Sequence, residues 1–225
     1  RLSSYELKEA KKFDSIVFVN KKDLPNSDIS KNKNIQIIGN GTYAKKNIYL
    51  EDKIKNNIVF FGNINSLANR TACIDFIDNY LPVLKKKYPN LEFKILGNCS
   101  KFLKIYFKYY KGVDITSNIK TLSQYCKNSL AGICNVEIQS GLQNKILDYT
   151  SIGLPVIINK TSNNFQFLNG KNILVYKNRL EFFLKIKKLI SDKKFRNKTS
   201  YVNFNKTKKY YDWSKILNNY SKLIK

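Results

Sequence analysis

From Ile58 onward the chain alternates short runs of β-branched and aromatic residues with longer amphipathic stretches, and no other feature narrows the accessible folds as far. The runs are Ile58-Val59-Phe60-Phe61, Leu91 to Gly97, Val113-Asp114-Ile115-Thr116, Ala131-Gly132-Ile133-Cys134, Pro155-Val156-Ile157-Ile158 and Asn172-Ile173-Leu174-Val175. Between the first two, Ile74, Phe76, Ile77, Leu81 and Leu84 recur at helical spacing, which predicts a long helix over 67–88 with a kink at Pro82. Further helices are predicted over 101–110, 119–128 and 180–191, with terminal helices from 195 onward. Parallel strands need helical crossovers and must be covered on both faces, so this alternation predicts an α/β fold: a parallel sheet with helices on both faces. Ile58, Val59, Phe60, Phe93, Ile95, Ile115, Ile133, Val156 and Ile157 are its predicted buried strand residues.

The segment before Ile58 reads differently. A serine cap and early acids at Ser3 to Ala10 open a helix, Ser15 to Val19 and Asn34 to Ile38 are short strands, and Asn40-Gly41-Thr42 is a turn. Residues 43–57 are polar and charged, as suits a linker between domains. At the other end, Tyr211-Asp212-Trp213-Ser214 sits at a helix start. At 225 residues the chain can bury one full core plus appendages, given about 150 residues per domain.

Several function classes drop out on composition. With 41 basic and 16 acidic residues the net charge is +25, which favours anionic partners. Lysine recurs in every segment, so the charge fits a lysine-rich background as well as a functional patch. There is no histidine, which removes Ser-His and Cys-His nucleophile systems and the commoner zinc sites. Cys73, Cys99, Cys126 and Cys134 lack C-x-x-C spacing and fall in apolar segments, so they read as reduced core residues of a cytoplasmic protein. No apolar run approaches the ~18 residues that span a bilayer, and no signal-peptide pattern is present. With no methionine at all, the chain is expected to begin within a longer protein or to have been trimmed.

The stretch that carries chemistry is Gly141-Leu142-Gln143-Asn144-Lys145-Ile146-Leu147-Asp148, followed by Tyr149 to Gly153 and Leu154-Pro155-Val156-Ile157-Ile158. It reads as a glycine-punctuated loop, a short helix that buries Ile146, Leu147 and Ile152, a stop at Gly153, and a strand. Unpaired amides at the helix N-terminus carry partial positive charge, Lys145 adds a full one, and Asp148 one turn on can accept from a diol. A phosphate and a ribose could be held by one turn of helix. The stretch resembles the donor signature of the retaining glycosyltransferases called family four, which have the GT-B fold and read roughly Gly-x-Gln-Asn-Lys-x-x-Glu-(five residues)-Gly-x-Pro-Val. Gly141, Gln143, Asn144, Lys145, Gly153, Pro155 and Val156 match, and Asp148 replaces the Glu.

The resemblance implies further site residues. Phe61-Gly62-Asn63 to Asn69-Arg70 matches the glycine loop where many relatives clamp the pyrophosphate with Arg and Lys. Here Asn63 and Asn69 stand at those positions, so Lys145 supplies the missing charge, with Arg70 as a helper. Ser117 and Ile119 fall in the loop that packs the nucleobase, Ser140 where other branches carry an acid, and Glu137 beside it reads as a solvated loop residue.

The expected architecture is the Rossmann-like GT-B C-terminal domain over 58–208, after the end of an acceptor domain (1–46) and a linker (47–57), and before a crossing helix (209–225) anchored by Trp213. The implied reaction is retaining transfer of a hexose-type sugar from a nucleoside diphosphate to a saccharide or lipid-linked acceptor, in surface polysaccharide biosynthesis. Donor contacts would come from Gly62, Asn63, Asn69, Ser117, Ile119, Ser140, Gly141, Leu142, Gln143, Asn144 and Asp148, with Lys145 stabilising the leaving diphosphate. No cofactor or metal is implied, there being no Asp-x-Asp motif, and nucleic acid is not an expected partner. Peripheral contact with an anionic inner-membrane face is. Two other readings stay open: a non-catalytic nucleotide-sugar-binding remnant, and a basic polyanion binder.

Overall fold

The computed structural model describes residues 5, 8–20, 24, 35–44, 47, 55–137, 143–160 and 172–223. Two short strands, β1 (Ile16–Phe18) and β2 (Ile35–Ile37), pair in parallel as a small separate sheet inside the two stretches expected as strands. Of the expected opening helix, residues 5 and 8–10 are described and helical, and 3, 4, 6 and 7 lie outside the described residues.

The main sheet comprises β3 (Lys55–Phe61), β4 (Glu92–Leu96), β5 (Val113–Thr116), β6 (Ser129–Cys134), β7 (Val156–Asn159) and β8 (Leu174–Tyr176). All pair in parallel, in the order β5-β4-β3-β6-β7-β8. Ile58, Val59, Phe60, Phe93, Ile95, Val156 and Ile157 are 0% exposed and Ile133 1%, and each such side chain contributes about 1.5–3 kcal/mol by burial. Ile115 is only half-buried, because β5 is the edge strand and has a neighbour on one side only.

The helices are α1 (Leu67–Asn79), α2 (Leu81–Lys87), α3 (Lys101–Lys108), α4 (Leu122–Cys126), α5 (Asn144–Ser151), α6 (Arg179–Ser191), α7 (Lys193–Tyr210) and α8 (Trp213–Ser221). Strand order runs one way from β3 to β5 and the other from β6 to β8. Right-handed crossovers therefore put α1 to α3 on one face and α5 on the opposite one. The C-terminal helices complete both layers: Phe182 of α6 meets Phe76 of α1 edge-on at 5.9 Å, while Thr207 of α7 donates to the Thr150 hydroxyl of α5 at 2.7 Å.

Three sequence expectations change. The helix over 67–88 is two helices, broken at Tyr80 (φ −118°), whose ring sits edge-on to Phe182 at 4.9 Å. Pro82 lies in the first turn of α2, where its missing N–H is tolerated, so the interruption expected at this proline falls just before it, as a break between two helices. β3 begins at Lys55, within the stretch read as linker, and Asn57 is 2% exposed. The helix over 119–128 contracts to α4, which leaves Ile119 in the preceding loop.

The N-terminal segment is joined to the C-terminal helices by backbone. Thr42 N–H donates to Tyr211 O (2.7 Å) and Trp213 N–H to Thr42 O (3.1 Å). The Trp213 ring covers Gly41, where a Cβ would lie 2.7 Å from a ring carbon, so only glycine lets the indole approach.

Candidate functional site

β3 and β6 lie side by side where the strand order reverses, and open α/β sheets form their binding crevice beyond the carboxyl ends of such strands. The loops on this edge are tied to one another. Gly62 N–H donates to Leu96 O (3.0 Å), Ile64 N–H to Asn98 O (2.8 Å) and Gly97 N–H to Thr116 O (3.0 Å). From β3 the chain passes through Gly62 into α1, whose N-terminus is closed by the Ser66 hydroxyl accepting from Asn69 N–H. From β6 it enters α5 at Gln143, which caps nothing with its side chain.

Lys145, in the first turn of α5, is 7% exposed. Its ammonium donates to Asn69 Oδ1 at 2.6 Å and lies 3.9 Å from the centre of the Phe60 ring. Asn69 Nδ2 donates in turn to Asn63 O at 2.9 Å, so both ends of that amide are fixed. A Cβ on Gly62 would come within 2.9 Å of Asn69 Nδ2, so a side chain there would displace the amide that holds the lysine. A cation at a helix N-terminus opposes the helix dipole, and this one forms no ion pair with a carboxylate among the described residues. Burial lowers its pKa below the ordinary lysine value, against the fields of Cys134, Cys73 and Asp148.

Asp148, one turn further on, is half-buried, and its carboxyl group has no hydrogen bond or ion pair among the described residues. Burial raises it to about 6, with Lys145 pulling the other way. The two opposite charges thus feel each other without pairing, and both remain available to a ligand. A buried ammonium in the first turn of a helix without a side-chain cap suits a phosphate group, and an unpaired carboxylate suits a pair of hydroxyls.

A model of the family described as glycosyl transferases group 1 matches residues 29–192. The chain belongs to this family. No curated protein sequence matches this chain. Among solved structures it is similar to TarM of S. aureus, with a TM-score of 0.75, 14% identity, and 98% of this chain covering 45% of that one. The pneumococcal O-GlcNAc transferase GtfA gives a TM-score of 0.71 at 15% identity, over 97% of this chain and 46% of that one. HepE of Anabaena gives 0.74 at 11% identity, over 96% and 65%. The chain therefore spans between about half and two thirds of the length of these structures, and shares with them the α/β parallel sheet covered by helices on both faces of the GT-B fold.

In this chain the structure brings Gly62, Asn63, Asn69 and Lys145 together, with Asn144 and Asp148 on the same helix. Gln143 precedes them, its Oε1 4.0 Å from Cys134 Sγ at the end of β6. Ser117 and Ile119 follow β5, two strands and so roughly 10 Å from β3. Ser140, Gly141 and Leu142 lie outside the described residues, and Glu137 is exposed. Arg70 does not join the cluster: it lines a separate cleft between α1 and α3.

Two residues went unread in the sequence. Tyr149 is fully buried against Gly132, and its hydroxyl accepts from Phe61 N–H at 2.6 Å and reaches Val59 O at 3.3 Å, locking α5 to the end of β3. Asn40 donates from Nδ2 to Asn144 Oδ1 at 2.8 Å, which places the N-terminal segment on the first residue of α5. The only sequence signal for the second was its place beside Gly41.

Proposed function

We propose that this chain is the donor-binding half of a glycosyltransferase that moves a sugar from a nucleoside diphosphate to a saccharide or lipid-linked acceptor, with retention, in surface polysaccharide biosynthesis. The observation that carries the donor reading is the pair of mutually unpaired charges on α5, buried Lys145 and half-buried Asp148, beside the Gly62 loop. Lys145 and the first amides of α5 bind the diphosphate and stabilise the charge that grows on it as the bond to the sugar breaks. Asp148 accepts from the ribose hydroxyls, and the loop holding Ser117 and Ile119 receives the base. Asn63 and Asn69 are uncharged where many relatives carry cations. With Lys145 in place, a lysine at 69 would set two ammonium groups against each other, whereas asparagine gives the one lysine an acceptor.

GtfA is described in complex with UDP and GlcNAc, and HepE in complex with UDP and with UDP-glucose, which supports a uridine diphosphate sugar as the first donor to try. Calorimetric titration with UDP, GDP, ADP and inorganic pyrophosphate tests the reading. One nucleoside diphosphate should bind more tightly than pyrophosphate. Pyrophosphate binding as tightly as every nucleotide would leave a polyanion binder.

A further inference from the structure

A second surface, separate from the donor crevice, has chemistry of its own. Helix α3 turns Leu103 and Phe107 into the core, at 8% and 0% exposure, yet its opposite side is also apolar. Phe102 is 76% exposed, Ile105 58% and Tyr109 84%, and their spacing places them in one narrow outward arc. Leu67, at the start of α1, adds a further exposed apolar side chain, at 61%. Beside the arc run Lys101, Lys104 and Lys108, with Lys111 just beyond, and no acidic residue occurs from Asn98 to Gly112. None of these lysines forms an ion pair among the described residues.

Between α3 and α1 lies a cleft of about 350 Å³, lined by Ile74, Leu103, Phe102 and Tyr106 with Arg70, Asn65 and Ser100 at its polar side. The Arg70 guanidinium has no hydrogen-bond or ion-pair partner among the described residues. A groove with apolar walls and one unpaired guanidinium at its side fits a molecule with a hydrocarbon body and an anionic head. The same pairing recurs along α3, whose exposed apolar ridge is flanked by ammonium groups. A net charge of +25 would draw the protein to any polyanion and selects no face; the apolar ridge does.

We propose that the α1–α3 face docks on an anionic lipid bilayer, with Phe102, Ile105 and Tyr109 entering the headgroup boundary, Lys101, Lys104 and Lys108 on lipid phosphates, and Arg70 holding one headgroup in the cleft. The contact is peripheral, since among the described residues no helix is long and apolar enough to cross a membrane. The face does not include Lys145 or Asp148, so it stands or falls independently of the donor reading.

The test is co-sedimentation of the 225-residue chain with vesicles of phosphatidylcholine alone and of phosphatidylcholine mixed equally with phosphatidylglycerol. Binding is expected only to the anionic vesicles. The triple variant Phe102→Ser, Ile105→Ser, Tyr109→Ser keeps every charge, and its three sites are exposed, so the fold is retained. It should bind the anionic vesicles at least tenfold more weakly, about the loss expected for withdrawing three side chains from the headgroup boundary. Arg70→Gln should weaken binding several-fold. UDP affinity should be unchanged in both variants, which separates this proposal from the donor site. Equal binding by the triple variant would reduce the attraction to net charge and overturn the proposal. So would a stable self-associated form, seen by light scattering, that the same three substitutions dissolve, because the ridge would then be covered by a second copy.

Discussion

Helices α1 and α5 both start at the crevice edge of the sheet, one after β3 and one after β6, yet their N-termini are built in opposite ways. α1 is closed by Ser66, and its first turn contributes an asparagine used as a support. α5 begins at an uncapped Gln143 and places a buried lysine where the helix dipole disfavours it. A protein selected for stability alone would not leave the second end in that state, since a cap is worth about 1 kcal/mol and an unpaired buried cation costs more. On the donor reading proposed above, the contrast separates a helix end that completes the fold from one that would receive a ligand.

The largest expected effect comes from cutting the link between the two ends. Tyr149→Ala should lower unfolding free energy by about 3–5 kcal/mol, since it empties the space against Gly132 and strands Phe61 N–H, and chemical denaturation reads this directly. Closing the open end should have the reverse signature. Gln143→Asp gives α5 a cap and the lysine a counter-charge, so thermal stability should rise by about 0.5–2 kcal/mol while UDP affinity falls more than tenfold.

The acid one turn on makes the contrast depend on pH. Asp148 sits at about 6 in the fold against 3.8 for a free side chain, so the folded state binds its proton more tightly than the unfolded chain. The stabilisation this gives is complete below 3.8 and is lost as pH rises through about 6. Asp148→Asn should therefore gain stability relative to the parent at pH 7, by on the order of 1–3 kcal/mol, and not at pH 3. Nucleotide binding on the proposed reading runs the other way, because there the carboxylate would be the acceptor. The advantage of the parent over Asp148→Asn for UDP should shrink as pH falls below 6, with calorimetry at each pH as the readout. The smallest effect belongs to the closed end: Ser66→Ala should cost about 1 kcal/mol of stability and leave pyrophosphate affinity nearly unchanged.

The layout of the sheet was legible because β3, β6 and β7 each carry a continuous apolar run between punctuating residues, and α5 because an apolar helical face follows Gln143-Asn144-Lys145 and stops at Gly153. The break at Tyr80 was legible only through Pro82, since helical spacing continues straight through Tyr80. The missing N–H and the ring of Pro82 interrupt the ladder one turn upstream, with the Tyr80 ring then packing on Phe182. Asn69 was read as a lost cation; its role as the acceptor for Lys145 needed two segments brought together that are 76 residues apart. Tyr149 falls at helical spacing and reads as one more core residue, while the partners of its hydroxyl come from β3, far away in sequence.

The central claim is that the open end of α5 holds a diphosphate through Lys145. Titrating UDP and inorganic pyrophosphate into the parent chain, Lys145→Met and Asp148→Ala tests it most directly. Lys145→Met should weaken both ligands by about 1.5–3 kcal/mol without loss of thermal stability, and Asp148→Ala should weaken UDP alone by a similar amount. Unchanged dissociation constants for both ligands in Lys145→Met would contradict the account.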